Sequence, residues 1–235
     1  EIRTPITPIL MTADNVEPQN PASDVVLTRP QYDIIVRNTK RLRQLANDIL
    51  DVSRIESGTL PYTMKKMGIH AVLLGCVEAT RPSVSAGRVS LATVVSPENE
   101  DLEIVGDRER LTQVFMNILS NAVKFTKKGR ITVETRLVAG GKIEILFSDT
   151  GGGIPEDILP KIFNKFVTKK VGEDVAHGTG LGLFICKAIV EAHGGKISAY
   201  NNGDGGATFR VELPVSDKAQ VAEKVATREK RHSGP

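Results

Sequence analysis

Apolar residues mark out two helical stretches at the start of the chain. Ile2, Ile6, Ile9 and Ala13 fall at helical spacing and predict a helix over residues 1–14. Pro5 and Pro8 lie inside that pattern; each removes a backbone donor and crowds the carbonyl four residues back, which suits a helix start. Residues 15–30 carry three prolines and two asparagines and predict a loop. Over residues 31–57, Ile35, Asn38, Leu42, Leu45, Ile49 and Val52 alternate three and four residues apart. That is a heptad seam with one polar member, on a second helix. Two helices with narrow seams make an antiparallel hairpin whose stripe is too exposed alone. Pairing two hairpins into a four-helix bundle buries it, so a homodimer is expected. Gly58 and Pro61 close the helix and open a linker.

From about residue 64 the pattern becomes mixed. Strands are predicted at 89–95, 130–137, 142–149, 196–200 and 207–213, and helices at 68–80, 107–125, 156–166 and 181–193. Ala139-Gly140-Gly141 and Gly203-Asp204-Gly205-Gly206 read as hairpin turns. The order fits an antiparallel sheet with helices on one face, and with the hairpin it gives an α+β chain. Residues 1–60 form the hairpin, 64–215 a second domain, and 216–235, polar and without periodicity, a frayed tail or linker.

Composition narrows this picture. In 235 residues the hydrophobic share is 40% but the aromatic share only 4%, with no Trp, so Ile, Leu and Val must fill the core. A net charge of +3, with no basic block interleaved by aromatics, points away from nucleic acid. Two cysteines, Cys76 and Cys186, without CxxC spacing argue against a disulfide framework or a zinc site. The longest apolar run, Ala71 to Val77, falls far short of a membrane helix. The expectation is a cytoplasmic fragment, since the chain opens at Glu1 without a Met, and the parent protein can still be anchored elsewhere.

Three blocks carry candidate chemistry. On helix 107–125, Asn117, Asn121 and Lys124 lie at i, i+4 and i+7, on one side. Amide oxygens can ligate Mg²⁺ jointly with phosphates, and a lysine can balance phosphate charge. Asp149-Thr150-Gly151-Gly152-Gly153-Ile154-Pro155 ends a strand with a carboxylate suited to the amino group of adenine, followed by backbone that can bend closely around a ligand. Gly178-Thr179-Gly180-Leu181-Gly182-Leu183 opens a helix, where free N–H groups and the macrodipole favour an anion. It is neither a Walker loop nor a dinucleotide fingerprint. The preceding segment, Val167 to His177 with Lys169, Lys170 and Gly172, reads as a lid over phosphates. Taken singly, the blocks also read as a solvated helix face, a tight turn and a glycine-rich helix start.

Taken in order, NxxxNAxKFT, DTGGGIP, IFNKF and GTGLGL resemble the Bergerat-type ATP-binding fold of histidine kinases, type II topoisomerases and the large heat-shock chaperones. The resemblance spans roughly residues 104–213. Phe125-Thr126 after the asparagine block and Ile162-Phe163 before the lid are similar to sensor histidine kinases in particular. It implies an α/β sandwich in which Asn121 binds Mg²⁺ with help from Asn117, Lys124 contacts phosphate and Asp149 holds adenine. The backbones of Gly151, Gly153, Gly180, Leu181 and Gly182 would line the ATP site, with Phe125, Ile154, Lys169, Thr179 and Leu183 beside them. Hydrolysing relatives carry Glu at the position of Asn117. An amide is no general base at neutral pH, so the site suits transfer to another nucleophile.

Glu1-Ile2-Arg3-Thr4-Pro5 is similar to the family's phosphoacceptor box without its first letter, His. The resemblance implies that Glu1 accepts a proton from that histidine and that Thr4 positions water when the partner response regulator is dephosphorylated. His70, His177, His193 and His232 fit the acceptor role poorly. The chain as written is therefore expected to bind ATP without phosphorylating itself. Two other readings compete: a nucleotide-binding pseudokinase or dimerisation module, and a chaperone or topoisomerase fragment. The intact ATP motifs weigh against the first, and Asn117 with the seam-bearing hairpin against the second.

Overall fold

A computed structural model describes residues 3–14, 26–84, 87–95, 102–138, 140–168 and 179–216. Glu1, the lid residues Lys169, Lys170, Gly172 and His177, and the tail beyond Ser216 lie outside them.

Helix α1 (Arg3–Asp14) packs against α2 (Arg29–Glu56). The start of α2 lies two residues ahead of the periodic stretch because Thr28 and Gln31 form a capping box there, the Thr28 N–H donating to Gln31 Oε1 at 2.9 Å. Gly58 ends α2 with a φ of +66°.

The second domain runs β1 (Lys65–Gly68), α3 (Ile69–Thr80), β2 (Val89–Val95), β3 (Glu103–Gly106), α4 (Arg108–Phe125), β4 (Gly129–Val138), β5 (Lys142–Asp149), α5 (Gly182–Ala192), β6 (Lys196–Asn201) and β7 (Ala207–Pro214). Five strands form one sheet in the order β2-β4-β5-β7-β6, and β1 pairs with β3 in a separate ribbon. Along β5, Ile143, Ile145 and Phe147 are almost fully buried, with Phe147 against Phe115 of α4 at 5.7 Å. The alternate residues bond across the other face, Glu144 to Arg210 and Ser148 to Thr208. The core therefore lies between the sheet and α3, α4 and α5, as an α+β sandwich with helices on one face.

Two expectations are corrected, and two strands are added. The sheet is not wholly antiparallel: β2 pairs with β4 in parallel, Val89 opposite Gly129. The connection between them passes through α4, which is long enough for a parallel crossover. Residues 156–166 form turns and a short 3₁₀ segment, Leu159–Lys161, rather than a helix. Pro155 and Pro160 remove two backbone donors, and Phe166 closes the segment with a φ of +62°. The strands β1 and β3 escaped notice because four residues are too few for a periodicity.

The hairpin does not stand apart from the sandwich. Leu45 and Val52, two members of the seam, are buried, and Val52 belongs to the core cluster of the second domain. Asp51 of α2 pairs with Arg110 of α4 at 2.9 Å and accepts from Gln113 Nε2 at 2.9 Å, while Glu56 pairs with Lys165.

Candidate nucleotide site

Helix α4 is anchored at its first residue. Asp107 caps it, Oδ1 accepting from the N–H groups of Glu109 and Arg110 at 3.0 and 3.1 Å, while Oδ2 accepts from Thr63 at 2.7 Å. Burial works against the Asp107 carboxylate, but these donors and the Arg110 charge outweigh it and hold its pKa below the ordinary carboxylate range. The Asp107 N–H donates to His193 Nε2 at 2.9 Å, and His193 Nδ1 lies 2.7 Å from the Ile189 carbonyl. The imidazole thus ties the start of α4 to the end of α5, with Nδ1 as the protonated nitrogen. His193 is a buried structural residue.

So fixed, α4 turns Leu111, Val114, Phe115, Ile118, Leu119 and Ala122 into the core. Its other side presents Asn117, Asn121, Lys124 and Phe125 to a cavity of about 570 Å³. Asn117 Nδ2 donates to Cys186 Sγ at 3.5 Å, and burial pushes that thiol up to about 12, so it stays protonated. Gly182 faces the same amide so closely that a Cβ there would overlap Asn117. Lys124 has its pKa lowered, first by burial and then by the charge of Arg41.

Asp149, at the end of β5, is 6% exposed and lines the cavity. Its Oδ1 accepts from Gly151 N–H at 2.8 Å and Ala207 N–H at 3.4 Å. Gly153 and Ile154 follow on the cavity wall, with the Ile154 N–H bonded to Asn201 at 2.7 Å. Opposite them, Thr179, Gly180, Gly182 and Leu183 line the cavity at the start of α5. Gly180 has a φ of +64°, and a Cβ there would lie 2.7 Å from the Phe166 backbone. Only glycine lets the two segments meet.

The blocks that the sequence singled out thus converge on one cavity. Gly151 and Leu181 stand just behind the wall, Gly151 through its bond to Asp149 and Leu181 buried beneath the loop. Thr4 is exposed on α1 and is not among the lining residues; Glu1 and Lys169 lie outside the described residues.

Sequence reasoning missed a wall. Arg41, Gln44 and Asp48 of α2 also line the cavity. Asp48 is buried, accepting from Gln44 Nε2 at 2.8 Å and Thr179 Oγ1 at 3.1 Å. Burial raises its pKa, against the lowering effect of those two donors. Arg41, Gln44, Asp48 and Asp51 form a polar stripe at three- and four-residue spacing. That stripe was the available signal, but a solvated helix face looks the same in sequence.

A strand-end carboxylate, two amides one turn apart and a glycine loop at a helix start, around a single cavity, define a nucleotide-binding site of the Bergerat type. Residues 106–217 match the family model of histidine kinase-, DNA gyrase B- and HSP90-like ATPases, and residues 1–58 match the His Kinase A phospho-acceptor domain. The chain belongs to the sensor histidine kinase family, with a phosphoacceptor region followed by an ATP-binding domain. Hybrid signal transduction histidine kinase D of Dictyostelium discoideum is 33% identical over 227 residues, 92% of this chain and 14% of that protein. Full-length ShkA, solved in complex with AMPPNP, is 27% identical with a TM-score of 0.68, covering 91% of this chain and 43% of ShkA. ThkA, solved in complex with response regulator protein TrrA, is 25% identical with a TM-score of 0.66, covering 91% of this chain and 58% of that one. The chain spans 14–26% of the length of the first curated relatives it matches.

Proposed function

We propose that this chain is the phosphotransfer core of a two-component sensor kinase. It binds ATP with Mg²⁺, passes the γ-phosphate to a histidine at the position before Glu1, and from there to an aspartate of a response regulator. Residues 1–60 serve as the dimerisation and phosphoacceptor hairpin, 64–215 as the catalytic domain, and 216–235 as a tail or linker. The observation that carries this reading is the convergence on one cavity of Asp149, Asn117, Asn121, Lys124 and the glycine loop at the start of α5.

In this reading Asp149 Oδ2 accepts from the amino group of adenine while the Gly151 N–H steadies Oδ1. Gly153 and Ile154 approach the base. The backbone of Gly180, Leu181 and Gly182, with Thr179 and Leu183, receives phosphates at the positive end of α5. Lys124, and Lys169 from the lid, balance their charge, and Phe125 packs beside Lys124. No cluster of three His, Cys, Asp or Glu exists among the described residues. The donor set therefore fits Mg²⁺ held by Asn121 and Asn117 jointly with phosphate oxygens, rather than an all-protein cage. Bound there, the ion would supply neutralisation of phosphate charge. Asn117 cannot take a proton from water, which leaves transfer favoured over hydrolysis. Glu1 accepts the imidazole proton, and Thr4 positions water for dephosphorylation of the regulator.

Two chains pair through the hairpin. Leu10, Met11, Tyr32, Ile49 and Leu50 are exposed on it. The ShkA complex with AMPPNP supports the nucleotide, and the ThkA complex with TrrA supports the regulator as partner.

Titration calorimetry with Mg-ATP tests the core of this reading. Asp149→Asn should weaken binding roughly 10- to 100-fold, as expected for one hydrogen bond to a buried charged group. If the unaltered chain took up no nucleotide, the reading would be wrong.

A further inference from the structure

Helix α2 crosses the cavity. At one end Asp48 meets Thr179, in the loop that opens α5. Seven residues back, about 10 Å along a helix axis, Arg41 comes near enough to Lys124, at the end of α4, for its charge to act there. Gln44 lies between them on the same face and also lines the cavity. The stretch is pinned just beyond Asp48 by the Asp51–Arg110 pair and its bond to Gln113. Arg41 is therefore delivered to the site by a helix fixed at two buried carboxylates.

We propose that Arg41 of the hairpin helix is a phosphate-contacting residue of the nucleotide site, so that the hairpin completes the site that the catalytic domain begins. This rests on the cavity being the ATP site. A guanidinium presents a planar fork of donors, suited to phosphate oxygens in a way that an ammonium is not. Arg41 and Lys124 both line the cavity, so two cations border the space that a polyanion would fill. Arg41 also offsets the negative charge that the same helix introduces through Asp48. Without Arg41, α2 would bring only a carboxylate and an amide to a site meant for a polyanion. The nucleotide's phosphates would then bridge the two domains, and affinity would depend on the number of phosphates more than on the base.

The test compares the full chain with Arg41→Ala and Arg41→Lys by calorimetry against Mg-ATP, Mg-ADP and adenosine. Arg41→Ala should weaken Mg-ATP about ten-fold or more and Mg-ADP less. Adenosine binding should not change, and Arg41→Lys should recover part of the loss. An equal loss for all three ligands would mark Arg41 as structural only, and no loss would place it outside the site; either result overturns the proposal. Failure of the unaltered chain to bind Mg-ATP would overturn the ATP reading together with it, which separates the two failures.

Discussion

Two buried carboxylates show how a single residue's environment sets its contribution. Asp107 is surrounded by backbone donors and Arg110, which hold its pKa down; Asp48 has two neutral donors and the like charge of Asp51, and burial raises its pKa. Their pH signatures should be opposite. A depressed carboxylate stabilises the fold above its unfolded pKa, and that contribution is lost as pH falls through the folded value. Asp107→Ala should therefore cost about 2 kcal/mol at neutral pH, from a lost helix cap and the stranded Thr63 N–H. In denaturant titrations the deficit should shrink in acid. A raised carboxylate destabilises the fold once ionised, and the penalty is relieved as pH falls through the raised value. Asp48→Asn keeps an acceptor for Thr179 without the charge. It should raise the melting temperature by about 2–4 °C at pH 7, corresponding to about 1 kcal/mol for a chain of this size. That gain should fade towards the ordinary carboxylate range. A constant gain across pH would mean that the Asp48 pKa is the same in the folded and the unfolded chain.

At the scale of elements, the contact between α2 and α4 turns on one ion pair. Arg110 and Asp51 retain only 19% and 10% side-chain exposure. Removing the cation strands a desolvated carboxylate, which costs about 3 kcal/mol. Arg110→Ala should therefore loosen α2 from the sandwich, seen as faster amide exchange over residues 45–56 with little change in β4, β5 and β7. Unaltered protection in α2 would mean that apolar contacts such as Val52 suffice. The helices and long strands were legible in sequence because each repeats its period over several turns or pleats. The apolar residues Ile143, Ile145, Leu146 and Phe147 marked residues 142–149 as a strand, with the limits that the fold shows. The segment 156–166 misled because its apolar spacing resembles a helix while Pro160 within it removes a backbone donor. The parallel pairing of β2 with β4 was hidden, since direction depends on the crossover and not on either strand's residues.

For the whole molecule, the exposed apolar residues of the hairpin call for a partner, although the seam is not uniformly free. Leu45 is buried and Val52 joins the core of the chain's own second domain, while Ile49 and Leu50 are 44% and 54% exposed. Sedimentation equilibrium should report about twice the chain mass of 25.4 kDa, and Leu50→Glu should shift the population towards the single mass. A monomer at all concentrations would remove the four-helix bundle from the account. No helix among the described residues is long and apolar enough to cross a membrane.

The sequence by itself determined the chemistry of the three blocks around the cavity, because each is local. Asn117, Asn121 and Lys124 share a face through helical periodicity, Asp149 precedes its glycines along the chain, and the glycine loop opens its own helix. Tertiary structure decided what local pattern cannot encode. It laid Gly182 against Asn117, tied α4 to α5 through His193, and brought α2 across the cavity so that Arg41, Gln44 and Asp48 form its third wall. Those contacts join residues some seventy to one hundred and thirty positions apart, and the side-chain types involved are ones that any solvated helix face also carries. Only packing distinguishes the two.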